Sequence, residues 1–213
     1  MAYLSCFLLQ YKLRCVAGRR YLDVITAGFC FRLRIGGGRE LSLLDHGKPA
    51  FGLTVRAATR WLEEHMVSDH LRVEAVELMV ASLFSSEAPL APPSTGLAGF
   101  LRFLLLLAGH DWAAAPLVVD PQGELSATDR AAAGEAFSRS RDRDSGGGDA
   151  MYIVAPYARD MGWSSSWTSP RPERPVLGRL VALAQASSES LVGWLSGEGK
   201  VGRDPGGWKN AFR

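Results

Sequence analysis

The chain has 213 residues, 47% of them hydrophobic and 22% charged, which is enough to bury one core and part of a second. Disorder throughout is excluded. Lys and Arg number 24 against 22 Asp and Glu, but 20 of the 24 are Arg, a bias that comes from codon usage or marks a guanidinium-rich contact surface.

Cys6, Cys15 and Cys30 lie close to the N-terminus without a C-x-x-C spacing, which predicts free thiols in a reducing compartment. Residues 1–9 are apolar but too short to span a bilayer, and they lack the leading charges and cleavage site of a signal peptide. The other long apolar stretch, 99–109, is interrupted by Arg102. A soluble intracellular protein with no membrane partner is expected.

Residues 29–35 alternate apolar side chains with Arg32 and Arg34, the pattern of a half-buried strand, and Gly36 to Gly38 stop it. The first forty residues hold seven Lys or Arg and only Asp23 and Glu40 as acids, which points to an anionic partner. The spacing of Phe51, Val55, Ala58, Leu62 and Met66 predicts a helix over 51–66, with Arg56, Arg60, Glu63 and Glu64 on its solvent side. Ser68 and Asp69 are N-cap candidates for a second helix over 71–84, whose stripe is Val73, Val76, Val80, Leu83 and Phe84, widened by Leu78 and Met79.

The proline run 88–93 breaks the pattern, and Ser94 or Thr95 can cap a third helix, apolar nearly all round, that belongs in the middle of a core. The helical core is expected around Leu62, Leu78, Phe84, Phe103 and Leu106. His110 closes the third helix, its imidazole expected at the last carbonyls, and 116–119 is a strand candidate. Ser126 and Asp129 have capping-box spacing for a fourth helix to about Arg139. Residues 142–149 read as a glycine linker. Beyond it, 151–155 form a strand and Pro175 opens a long helix with Val176, Leu180, Leu183, Ala184, Leu191 and Trp194 on one side. A β-α unit with nothing to pair against is incomplete, so a fragment of a longer protein is expected.

Catalytic motifs fail on context. The glycines of 197–202 match G-x-G-x-x-G, but a helix precedes them where a strand is needed. Gly47-Lys48 lacks the upstream glycine of a P-loop. Asp142, Asp144 and Asp149 sit in a glycine linker, where paired metal-binding carboxylates would need rigid strands, and an EF-hand would need Glu where Ile153 stands. His65 and His70 make no zinc motif, and Ser164 to Ser166 have no nearby base. No catalytic residue, metal site or cofactor is predicted. Arg32, Arg34, Arg56, Arg60 and Arg102 are the candidates for RNA contact through phosphate pairing and stacking.

Taken in order, many segments resemble the Nrap family, the nucleolar RNA-associated proteins of the small-subunit processome. They are 31–35 (FRLRI), 49–51 (PAF), 60–62 (RWL), 68–71 (SDHL), 74–78 (EAVEL), 81–84 (ASLF), 92–94 (PPS), 99–104 (GFLRFL), 111–112, 116–117, 124–125, 151–156 (MYIVAP), 167–168, and 177–184 with Ser187. The resemblance implies an α+β, mostly α fold. A helical domain similar to the substrate-binding domain of poly(A) polymerases and oligoadenylate synthetases would occupy 45–142, flanked by the tail of a nucleotidyltransferase-like domain (1–44) and, after the linker 143–150, an incomplete α/β domain (151–213). The connection from Ile35 to Pro49 looks shorter than the family's.

It further implies a non-catalytic scaffold of the nucleus and nucleolus, acting in ribosomal RNA processing and small-subunit assembly. Its partners would be precursor ribosomal RNA, a small nucleolar ribonucleoprotein and other processome proteins. The competing readings are an active RNA nucleotidyltransferase and a protein-only interaction module.

Overall fold

A computed structural model describes residues 14–17, 21–26, 29–34, 48–85, 88–142, 149–165, 168 and 171–197. The chain divides into two compact units, Met1–Arg39 and Glu40–Arg213.

The first unit carries an antiparallel meander of β1 (Arg14–Ala17), β2 (Tyr21–Thr26) and β3 (Phe29–Arg34) in the order β1-β2-β3. β3 is the strand expected from the alternation. β1 and β2 were not expected. Thr26 pairs with Phe29, leaving two residues between the strands, and the register sets Asp23 opposite Arg32 and Tyr21 opposite Arg34. The three cysteine side chains and the glycines of 36–38 lie outside the description.

In the second unit, α1 (Pro49–Glu64) begins with a proline in its first turn and buries Phe51, Thr54, Ala58, Trp61 and Leu62. Trp61 rather than Val55 fills the stripe. Met66, expected on that stripe, is 85% exposed because the helix has already ended in a left-handed turn at φ 55°. The Met66 N–H bonds the Glu63 carbonyl and the Val67 N–H the Leu62 carbonyl, so the chain turns back in a Schellman motif with Val67 buried.

Ser68 and Asp69 do not cap the next helix. They form a short 3-10 turn (Ser68–His70), and α2 (Val73–Leu83) starts from Arg72 without a side-chain cap, which leaves Val73 half exposed. Thr95 is the cap of α3 (Gly96–Gly109), its hydroxyl accepting the Ala98 N–H at 3.1 Å.

Helices α1 and α3 lie very close. A Cβ on Gly99 would sit 2.0 Å from the Thr54 hydroxyl oxygen, and one on Gly96 would sit 2.7 Å from the Leu53 Cβ, so only glycine permits this approach. Phe103, Leu104 and Leu107 are fully buried, while Leu105 is 50% exposed and Leu106 only flanks the core. The helix therefore has a wet side that its composition hides.

Helix α4 (Ala127–Asp142) opens on the expected capping box. The Asp129 N–H bonds the Ser126 hydroxyl at 3.2 Å, and the Ser126 N–H bonds the Asp129 carboxylate at 3.0 Å. β4 (Leu117–Val118) pairs in parallel with β5 (Ile153–Val154), so the strand expected to lack a neighbour has one inside this unit. A 3-10 segment (Pro156–Met161) follows, then α5 (Arg174–Ser196), which packs along α3. Leu177 joins its buried side, and Trp194, expected there, is 46% exposed.

One apolar core takes residues from α1, α2, α3 and α5 and from the segments beside them, including Trp61, Phe84, Phe103, Met151 and Leu180. The Trp61 indole N–H donates to the Ser187 hydroxyl at 3.0 Å inside it. A second cluster gathers Leu125, Phe137, Tyr152, Val154 and Trp163. Residues on both sides of the expected linker 143–150 contribute to both. Residues 143–148 themselves lie outside the description.

Candidate functional site

The sequence named five arginines. Arg32 and Arg34 lie on β3, at the register positions opposite Asp23 and Tyr21. Arg60 is engaged by its own helix, paired with Glu64 and, at 3.8 Å, with Glu63. Arg102 donates to the Ala91 carbonyl and ties the proline-rich loop to α3. Arg56 is exposed and makes no ion pair among the described residues.

The described acidic groups beside the strands serve the fold. Asp120, 2% exposed, accepts the Glu124 and Leu125 N–H groups at 2.9 Å each and the Arg130 guanidinium at 3.1 Å. Asp129 is held below the usual carboxylate range, first by its hydrogen bonds from Ser126 and then by Arg159, which also clamps it at 2.8 Å. Among the described residues no group of three or more His, Cys, Asp or Glu could hold a metal ion. Ser165, from the serine run, is 2% exposed, accepts the Ile153 N–H at 2.9 Å and hydrogen-bonds Thr168, so its hydroxyl is structural. Gly197 closes α5 in the left-handed conformation, and residues 198–202 of the glycine motif lie outside the description.

A cleft that the sequence did not suggest opens where α3 and α4 end and α5 begins. It has a volume of about 400 Å³ and is lined by His110, Asp111, Arg141 and Arg174, with Leu177 and Val181 among its apolar walls. His110 does not meet the helix carbonyls as expected. Its Nε2 donates to the Ala115 carbonyl at 3.1 Å, while Trp112 caps the helix by donating its indole N–H to the Leu107 carbonyl. Asp111 turns inward on its own backbone, accepting the Ala113 and Ala114 N–H groups.

Arg141 stacks on the Phe137 ring at 4.9 Å and donates one Nη to the Trp112 carbonyl at 2.7 Å. Its Nε is buried without a hydrogen-bond partner among the described residues. Burial and then the neighbouring Arg174 push its pKa down, and Asp149 offsets this in part. Two like charges therefore stand close together in an open cleft, Arg141 half-buried and Arg174 exposed. Arg174 stands in the first turn of α5, the positive end of a 23-residue helix, where a cation is disfavoured. That misplaced charge was the available sequence signal, but the fourth helix was expected to end before Arg141, which hid the pairing.

The fold and this geometry can be set beside known proteins. Residues 48–203 match the family model described as Nrap protein PAP/OAS1-like domain 5. The chain belongs to the Nrap family. The match runs past residue 142, where the helical domain was expected to end, and takes in β5 and α5. The chain is 38% identical over 220 aligned residues to nucleolar protein 6 of Xenopus tropicalis, covering 85% of this chain and 19% of that protein. It is 30% identical to nucleolar protein 6 of Mus musculus, over 96% of this chain and 20% of that one. U3 small nucleolar RNA-associated protein 22 of Schizosaccharomyces pombe is 30% identical over 67% of this chain and 13% of its own length. The chain thus spans about a fifth or less of the curated Nrap relatives it matches.

Proposed function

We propose that this chain is a non-catalytic, RNA-associated part of a nucleolar protein that serves precursor ribosomal RNA processing and small-subunit assembly. The observation that carries the reading is the family match over 48–203, together with relatives named for the nucleolus and for U3 small nucleolar RNA. Precursor ribosomal RNA, a small nucleolar ribonucleoprotein and processome proteins are its partners on this reading, and 1–44 is the tail of a preceding domain. The commitment of Asp120 and Asp129 to backbone N–H groups and arginines supports a structural rather than a catalytic use of its carboxylates.

Two measurements test it. The tagged protein, recovered from nucleolar extract, should bring precursor ribosomal RNA with it, and recovery at background level would overturn the reading. Incubation with labelled nucleotide, RNA primer and Mg²⁺ should give no extension; transfer abolished by a single carboxylate substitution would make the protein an enzyme.

A further inference from the structure

The cleft at the start of α5 concentrates positive charge that the fold does not use up. Among the described residues the buried Nε of Arg141 has no hydrogen-bond partner, and one Nη donates to the Trp112 carbonyl. Arg174 lines the same cleft from a helix end that already favours an anion, and no acidic residue stands in that first turn. The N-cap Glu173 makes no capping bond. Of the lining residues only Asp111 is acidic, and its Oδ1 is held by two backbone N–H groups. Asp149 offsets the charge of Arg141 only in part, an Nε buried without a partner is costly, and planar guanidinium donors match phosphate oxygens.

The size and walls narrow the ligand. A volume of about 400 Å³ accommodates far more than a carboxylate, and Leu177, Val181 and Ala113 give it an apolar side against which a ribose or base can rest. In an open cleft between helix ends, a phosphate and its nucleoside can both reach the walls only where the strand is unpaired and can bend in, since the bases of a duplex stay stacked inside it. We propose that this cleft seats a phosphodiester of single-stranded RNA, gripped by Arg141 and Arg174, with the attached nucleoside on the Leu177 and Val181 wall. The proposal rests on the reading of the chain as RNA-associated and assigns that contact a place.

Binding of the full 213-residue chain to a labelled single-stranded RNA, followed by fluorescence anisotropy, tests it. Arg174→Glu reverses the exposed charge. Gly178→Phe blocks the cleft without touching charge, since a Cβ at Gly178 meets nothing within 4 Å and helix propensity improves. Both variants should melt as the parent does and bind RNA at least about tenfold more weakly, as expected for losing a charge-assisted contact. Arg174→Gln should flatten the salt dependence by about 0.7 in log–log slope, the value for one phosphate on a single strand. Arg72→Glu, at an exposed residue that does not line the cleft, should change affinity by no more than about twofold.

Unchanged RNA affinity in both cleft variants overturns the proposal, as does equal binding of a duplex of the same sequence. A glutamate-rich peptide that binds and is lost in both variants, with RNA binding unaffected, overturns it in favour of a protein partner. Cleft variants that bind RNA normally and still recover precursor ribosomal RNA sink the cleft and leave the proposed function standing. Loss of that recovery in the unaltered protein sinks the function instead.

Discussion

Around Trp61 and Phe103 the molecule is held by close contact of apolar side chains on four helices, whereas around Tyr152 it is held by hydrogen bonds that each require one particular partner. In the first region the aromatic rings meet edge to face, Phe51 with Phe84 at 5.7 Å and Trp61 with Phe103 at 6.4 Å, and two glycines let the backbones approach. In the second the Tyr152 hydroxyl donates to the Trp163 carbonyl at 2.9 Å, Ser165 takes the Ile153 N–H, and Asp120 gathers two N–H groups and an arginine. Contact energy is spread over many atoms and tolerates small errors. A polar link is lost whole when one atom is removed.

The largest effect should come from the first region. Phe103→Ala leaves a cavity at a fully buried site and should cost about 3–5 kcal/mol, read by chemical denaturation, while Leu106→Ala, at the core's flank, should cost clearly less. Equal costs would mean that the wet side of α3 has been misjudged.

Next comes Asp120→Asn, which keeps the shape but turns one acceptor oxygen into a donor facing the Leu125 or Glu124 N–H. A loss of about 1–3 kcal/mol is expected, and no loss would remove the distinction drawn between the two regions.

The smallest effect concerns a polar misfit in the apolar region. His65 is buried against Trp61, with ring centroids 4.9 Å apart, and its Nε2 has no hydrogen-bond partner. Burial, then Arg179, lowers its pKa from 6.5, and Glu64 offsets this in part. The unfolded chain therefore takes up this proton first as pH falls, so the stability contribution is complete above 6.5 and declines below it. His65→Gln should flatten the melting temperature between pH 7 and about 5, where most carboxylates have yet to titrate; an unchanged slope would assign the effect to other groups.

The same contrast explains what could be read in advance. Apolar spacing located α1, α2, α3 and α5 to within a few residues, and the capping box located α4, because those signals act over neighbouring residues. Ends were misplaced at Met66 and Val73, where the chain leaves the helix through a non-glycine left-handed turn and re-enters without a capping side chain, and at Arg139, beyond which α4 continues to Asp142. The parallel pairing of β4 with β5 joins segments about thirty-five residues apart and has no local signature. The cleft was hidden for a related reason. Arg141 and Arg174 acquire meaning only when the end of one helix and the start of another are brought together.

The hydrogen bond between Trp61 and Ser187 joins residues 126 positions apart. At a synthesis rate of roughly 5–20 residues per second, the indole would wait about 6–25 s on the ribosome before its partner is even made. Over that interval the side of α3 that α5 will cover faces water or a chaperone, so the core stays open until α5, the last of the described helices, has emerged. Premature termination before residue 174 would release a chain with an open apolar face rather than a smaller stable domain.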